Sequence, residues 1–273
     1  MSQNTEKIGF IGSGNMATAL VKGLIESKAY NKNQLSASDK DIEVLNRLSE
    51  KFGISSYPSN SHLVQNCDII VLAVKPQNMR DVLAEIKENI RDDHLIISIA
   101  AGVPLKLIHS IVARDIPMVR VMPNTPALIL KGISAIAGGR FSREKHMAVA
   151  RTIFRSVGET VDVKEPMMDA VTALSGSGPG YVFRIMECMV EAGIRVGLER
   201  ETALDLVVQT FLGAAHLAGA LEEPLHTLRE RVTSPGGTTA AGLKIFEELG
   251  LENMMIKAVK AATDRSIELG KMA

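Results

Sequence analysis

Apolar residues in this chain change their spacing once. From Lys7 to about Val163 the runs KIGFI, QLSAS, IIVLAV, LIISIA, MVRVM and GISAIA read as strands, separated by stretches of helical periodicity. Strands and helices in alternation predict an α/β fold whose N-terminal part is a doubly wound Rossmann-type parallel sheet. Ile69–Val74 and Leu95–Ala100 are apolar at nearly every position, as strands covered on both faces are, and are expected at the sheet centre. Beyond Glu165 strand patterns vanish, and Val182, Ile185, Met186, Met189, Val190, Gly193 and Ile194 recur at helical spacing. An all-helical C-terminal domain follows. The boundary is expected at Lys164–Pro166, where the strand TVDV meets a charged, proline-containing link; this gives domains at residues 1–164 and 165–273.

Composition narrows the classes. Lys plus Arg equals Asp plus Glu at 31 each, so no overall field draws in a polyanion, and nucleic acid is not an expected partner. The longest apolar stretches fall short of the roughly 20 residues a spanning helix needs, so no membrane is expected. Cys67 and Cys188 have no Cys or His at metal-ligand spacing, which argues against a disulfide framework or a metal. The opening MSQNTEKIGF lacks the apolar stretch of a signal peptide, and a cytoplasmic location is expected.

Candidate chemistry begins at the first strand-helix junction, with Gly12-Ser13-Gly14-Asn15-Met16-Ala17. This G-x-G-x-x-A pattern suits a dinucleotide. Gly12 permits the tight turn and Gly14 a close approach of backbone to pyrophosphate, while Ala17 lets the helix pack on the strand with its first amides facing the phosphates. The second strand ends at Ser38-Asp39-Lys40, where an acid would bind a ribose 2′-hydroxyl and a hydroxyl or cation would suit a 2′-phosphate. Ser38, Lys40 and Asn60 favour NADP(H). Asp39 favours NAD(H) if it points inward, or is only the N-cap of the next helix.

Three further loops follow strands: Ala73-Val74-Lys75-Pro76, Ala100-Ala101-Gly102 and Pro123-Asn124-Thr125-Pro126. In open α/β sheets ligands lie beyond the carboxyl ends of the strands, so these loops should border the nicotinamide. Lys75 also reads as a solvated loop charge, and Asn124 as a turn residue.

The helical half carries two glycine-rich segments, Leu174 to Gly180 and Thr233 to Thr239, each placed as a loop before a helix. Free amides and hydroxyls converging there suit a carboxylate. The alternative is a pair of flexible turns. All six His residues, at positions 62, 94, 109, 146, 216 and 226, lie outside these loops. Alcohol oxidation needs a base for the hydroxyl proton, whereas a protonated imine is already electrophilic, so imine reduction fits better.

The segments IGFIGSGNMA, VLAVKP, SIAAGV, VMPNTP, DAVTALSGSGPGYVF and VTSPGGTTAAGL together resemble the pyrroline-5-carboxylate reductases of proline biosynthesis, over nearly the whole chain. The resemblance implies hydride transfer from NADP(H) or NAD(H) to pyrroline-5-carboxylate, giving proline. It implies substrate contacts from Glu222, Ser234, Gly237, Thr238 and Thr239, with Gly178 in the first glycine-rich segment. Cofactor contacts are implied for Ala73–Pro76, Ala100, Ala101 and Asn124. Thr172 is a candidate hydrogen-bond partner of the ring nitrogen. A homodimer, or a larger homo-oligomer built of dimers, is also implied, with Met186 and Met189 facing either a partner helix or the chain's own core.

Two positions depart from the family pattern: Gly180 stands where alanine is common, and Asp39 where a small hydroxyl residue is frequent. Two rivals stand beside this reading. A hydroxyacid dehydrogenase of the same layout would need a lysine in GYVFRIMECMVEAG, which holds only Arg184 as a cation. A non-catalytic dinucleotide sensor would bind cofactor without turnover.

Overall fold

The computed structural model describes residues 5–272. Its first part alternates β1 (Ile8–Ile11), α1 (Asn15–Glu26), β2 (Leu35–Ser38), α2 (Ile42–Phe52), β3 (Ser55–Ser56), α3 (Asn60–Asn66), β4 (Ile69–Leu72), α4 (Met79–Ile86), β5 (Leu95–Ser98) and α5 (Leu105–Val112). It continues with β6 (Met118–Met122), β7 (Gly132–Gly138), α6 (Glu144–Arg155) and β8 (Gly158–Asp162). The rest is helical among the described residues: α7 (Met168–Val171), α8 (Gly178–Arg195), α9 (Arg200–Leu221), α10 (Leu225–Arg231), α11 (Thr238–Glu248) and α12 (Leu251–Met272). The chain divides into two compact units. One runs up to Ser177 and takes in the segment from Lys260 onward; the other is Gly178–Val259.

The eight strands form one sheet in the order β3-β2-β1-β4-β5-β6-β7-β8. β4 and β5 sit at its middle, as their continuous apolar runs require. Ile69 and Val71 enter one core with Phe10, Leu20 and Phe154, while Ile70 and Leu72 enter a second with Leu63, Met79 and Ile108. Each strand is thus covered on both faces.

Two elements differ from the sequence pattern. β7 runs antiparallel to β6 within an otherwise parallel sheet, because the link from Met122 to Gly132 holds only a short 3₁₀ turn at Thr125–Ile129. A parallel return needs a crossover of a dozen or more residues. β3 is a two-residue edge strand at Ser55–Ser56, too short to produce a pattern.

The Gly178–Val259 unit has a small core of its own. Val190 on α8 packs with Ala203 and Val207 on α9, and Met186, Ile194 and Phe211 cover them. Met186 therefore faces the unit's own core, while Met189 remains 41% exposed.

Candidate functional site

β1 pairs on one side with β2 and on the other with β4, so the chain reverses its winding at β1. A crevice opens at such a switch point, beyond the carboxyl ends of the strands. Here it is a cavity of about 420 Å³ lined by Gly12, Gly14, Asp39, Lys40, Asn60, Ala73, Val74 and Lys75, among others. Loops after β1, β2 and β4 thus converge on one cavity.

The glycine loop has the form a dinucleotide needs. Gly12 adopts φ +100°, and a Cβ there would lie 2.6 Å from the Ala73 carbonyl oxygen. Only glycine fits. Gly14 is different: its φ is −70° and nothing lies within 4 Å of an added Cβ, so the fold does not demand glycine at this position. The open space there is what a pyrophosphate against the backbone would fill. Gly14 is also the N-cap residue of α1 and has no side chain to satisfy the helix's first amides, which leaves those donors for an anion. Ser13 is 2% exposed, and its hydroxyl has no hydrogen-bond partner among the described residues. Ala17 is buried in the core beneath the helix, while Asn15 is exposed and Met16 half-buried at the helix start.

Asp39 points inward, with an unexpected pair of partners. The Ser13 amide donates to its Oδ2 at 2.6 Å and the Asp41 amide to its Oδ1 at 2.9 Å. It is not the cap of α2. Asp41 fills that role, accepting from the amides of Glu43 and Val44, because it lies one residue before the helix. Ser38 is buried and donates to Asn60 Oδ1 at 2.8 Å; Asn60 Nδ2 then donates to Glu85 Oε2 at 2.6 Å. Glu85, Asp81, Val82 and Asn78 complete the wall. The sequence pattern did not mark these four, since their spacing reads as one face of an ordinary amphipathic helix.

Pro76, Ala100, Ala101 and Asn124 do not line this cavity. Pro76 opens a 3₁₀ turn before α4, and Ala100 and Ala101 follow β5. Asn124 Oδ1 accepts from the Ile133 amide at 3.0 Å, so it braces the turn into β7.

The first glycine-rich segment is not a loop. α7 runs into a π-helical turn at Thr172–Gly176, in which the Ser177 amide donates to the Thr172 carbonyl at 2.8 Å, and α8 starts at Gly178. Glycine and serine stay wound because hydroxyls tie into the turn: Thr172 Oγ1 donates to the Met168 carbonyl at 2.8 Å and Ser175 Oγ to the Val171 carbonyl at 3.1 Å. The loop expected before Gly178 is thus a wound turn, and Gly178 itself is the first residue of α8. A π-turn within a helix often marks a functional site, and nothing in the sequence pattern announces it.

The second glycine-rich segment is a turn, as expected. Gly236 sits at φ +71°, the Gly237 amide donates to the Ser234 carbonyl at 3.0 Å, and α11 begins at Thr238 with Gly237 as its N-cap. The hydroxyl of Thr233 donates to the Arg229 carbonyl at 2.6 Å, whereas Ser234, Thr238 and Thr239 are exposed residues. Glu222 caps α9 in a left-handed conformation, φ 49°, and is exposed; its neighbour Glu223 pairs with Arg231 at 3.0 Å.

Known proteins match both halves. Residues 165–269 fit the profile described as pyrroline-5-carboxylate reductase dimerisation, and residues 7–102 fit the one described as NADP oxidoreductase, coenzyme F420-dependent. The chain is 42% identical over 268 residues to a pyrroline-5-carboxylate reductase of Methanosarcina acetivorans, covering 97% of this chain and 98% of the relative. Among solved structures, the pyrroline-5-carboxylate reductase of Coxiella burnetii is similar with TM-score 0.91 and 39% identity, covering 97% of this chain and 99% of that one. The Plasmodium falciparum pyrroline carboxylate reductase, solved with NADP bound, gives TM-score 0.88 and 32% identity, covering 98% and 100%.

Proposed function

The chain belongs to the pyrroline-5-carboxylate reductase family, and from that premise we propose that it reduces the C=N bond of 1-pyrroline-5-carboxylate to L-proline with NADP(H), the last step of proline biosynthesis. The observation that carries the cofactor half is the glycine loop, where Gly14 opens on empty space beside a buried, unpartnered Ser13 hydroxyl.

When bound, the reduced nicotinamide supplies a hydride from its C4 to the imine carbon. Gly12, Ser13, Gly14, Asn15 and Met16 hold the pyrophosphate on the first turn of α1, where backbone amides and the helix dipole favour negative charge. Lys75, Lys40 and Asn60 line the cavity wall, with Ser38 bonded behind Asn60, and these would hold the ribose and its 2′-phosphate. Ala73 and Val74 line the cavity and would flank the nicotinamide end, to which Pro76, Ala100, Ala101 and Asn124 are assigned from their places after β4, β5 and β6.

Ser234, Gly237, Thr238 and Thr239 take the substrate carboxylate, with short hydroxyls and the first amides of α11 as donors. Gly178 and Glu222 are assigned to the same substrate. Thr172 Oγ1 donates to the Met168 carbonyl at 2.8 Å, which leaves its lone pairs to accept. That suits a protonated imine N–H. The proton stays on nitrogen as the hydride arrives and no catalytic base is required, which agrees with the absence of histidine from the glycine loop and the α11 turn. The chain's contribution is orientation and exclusion of water, worth about 7 to 11 kcal/mol when the geometry is near attack.

The working form is a homodimer or an oligomer built of dimers. α9 is 22 residues long and apolar enough to cross a membrane by length and composition, yet it lies in the region matching the dimerisation profile. Phe183, Leu206, Leu212 and Phe246 are each about half exposed on the single chain, and a second copy would cover them. A cytoplasmic location fits a soluble biosynthetic enzyme.

Chiral amino-acid analysis after incubation with NADPH and the imine tests this reading. The expected result is one L-proline formed per NADPH consumed. Cofactor binding without proline would leave the sensor reading in its place.

A further inference from the structure

The last turns of α12 belong to the same compact unit as the sheet, and a buried polar cluster fixes them there. Ser266 is 3% exposed, and its hydroxyl donates to Asp169 Oδ1 at 2.7 Å. Arg120 on β6 is 5% exposed and donates to the same oxygen through Nη2 at 3.5 Å. Its Nη1 lies 4.0 Å from Glu165 Oε1, which accepts from the amide of Leu105, the first residue of α5, at 2.7 Å.

These contacts surround the loop after β5. An added Cβ on Gly270 would collide with the Gly102 carbonyl oxygen. Gly102 itself has φ +75°, and a Cβ there would lie 3.0 Å from the Ser266 carbonyl and 3.2 Å from the Gly270 amide nitrogen. One turn of α12 thus bonds to Asp169 and presses on Gly102, the last residue of the 100–102 loop. Asp169 precedes the π-turn, whose far end at Gly176 packs on Met122, the last residue of β6; a Cβ on Gly176 would lie 2.6 Å from Met122 Cε. The cluster ties together the carboxyl end of β6, the start of α5, the π-turn and the 100–102 loop.

A buried ion pair is weak ground for stability, since apolar residues of equal volume often hold elements together as well. What it adds is direction: two donors on one carboxylate oxygen fix the rotation of α12 against the loop. We propose that Arg120, Asp169 and Ser266 form a positioning clamp that sets the depth of the 100–102 loop, and with it the height at which the nicotinamide is presented for hydride transfer. The clamp rests on the reductase reading above. None of its members lines the cofactor cavity; they act through the loop, and a misplacement of about 1 Å suffices to slow a reaction about 100-fold.

The test uses the full-length protein with Ser266→Ala, Ser266→Thr and Gly270→Ala. Turnover is measured with NADPH and with 4-deuterated NADPH, alongside the fluorescence emission of bound NADPH and the Tm. Ser266→Ala is expected to lower kcat about tenfold with the KM for the imine within about twofold, to raise the deuterium isotope effect on kcat and to shift the bound-NADPH emission. Ser266→Thr restores all of these, and Gly270→Ala follows Ser266→Ala. A Ser266→Ala protein with wild-type kcat, isotope effect and emission overturns the clamp, even if its Tm falls. If the wild type itself fails to reduce the imine, the reductase reading fails separately. Emission then decides: a shift in Ser266→Ala reversed by Ser266→Thr supports the clamp, and no shift overturns it.

Discussion

The Ser13 amide donates to Asp39 Oδ2 at 2.6 Å, so the acid at the end of β2 braces the glycine loop that follows β1. Its second oxygen is taken by the Asp41 amide, and the carboxylate remains on the cavity wall beside Lys40. One residue therefore supports the loop and leaves its carboxylate on the wall of the cavity proposed for the cofactor.

Asp39→Ser removes that charge and leaves a hydroxyl to bond one amide. The ratio of kcat/KM with NADPH to that with NADH should rise about tenfold, equivalent to about 1.4 kcal/mol, together with a small fall in Tm. Steady-state kinetics with both cofactors measures it. An unchanged ratio would mean that the carboxylate does not face the 2′ position.

The two glycines of the loop should respond differently. Gly14→Ala meets no atom and requires no unusual φ, so the protein without cofactor should keep its Tm while its NADPH Kd rises at least about tenfold. Gly12→Ala meets the Ala73 carbonyl at φ +100° and should lower Tm as well. Thermal melts with and without NADPH separate the two. Equal behaviour of the variants would remove Gly14 from the pyrophosphate site.

Thr239 is an exposed residue in the first turn of α11. Thr239→Ala should raise the KM for the imine about tenfold and leave the NADPH Kd unchanged, as expected for a donor to the substrate carboxylate alone. A wild-type KM would take Thr239 out of that site.

His94 gives the fold an acid-sensitive point away from the chemistry. It is fully buried, its Nδ1 accepts from the Arg91 amide at 3.0 Å, and its Nε2 stands 3.0 Å from the Cys67 carbonyl. That arrangement requires a neutral ring with its proton on Nε2. Burial first, then the Arg91 charge, push its pKa below the ordinary histidine value. With the folded pKa below the unfolded one, its contribution to stability is complete above about pH 6.5 and is lost as pH falls through the folded pKa. The wild-type Tm should drop on acidification below about pH 6.5, and His94→Asn, although less stable at neutral pH, should show a shallower drop. Parallel Tm curves would assign the acid sensitivity elsewhere.

Much of this was legible from spacing. The buried runs at β4 and β5, the helical second half and the G-x-G-x-x-A junction each follow from local pattern, because strand pleat, helix pitch and the φ of Gly12 are local constraints. What escaped depends on contacts between distant segments. The wall from Asn78 to Glu85 looks like any amphipathic helix until β1 and β4 are neighbours. Asp39 as a brace for Ser13 cannot be told from a ribose ligand without the loop's path. The winding of Thr172–Gly176 contradicts local preference for glycine and serine, and the hydroxyl bonds to Met168 and Val171 that hold it appear only once α7 is formed. The antiparallel β7 was readable in principle from its short connection, through the length of link a parallel crossover requires.

The most direct test of the central claim is the loss of reduced-nicotinamide absorbance when purified protein is mixed with NADPH and pyrroline-5-carboxylate, run beside a control without imine and one with the Gly14→Ala protein. Rapid imine-dependent oxidation by the wild type, sharply reduced in the variant at limiting NADPH, is the predicted result. Tight NADPH binding with no imine-dependent oxidation would contradict the reductase assignment for this chain.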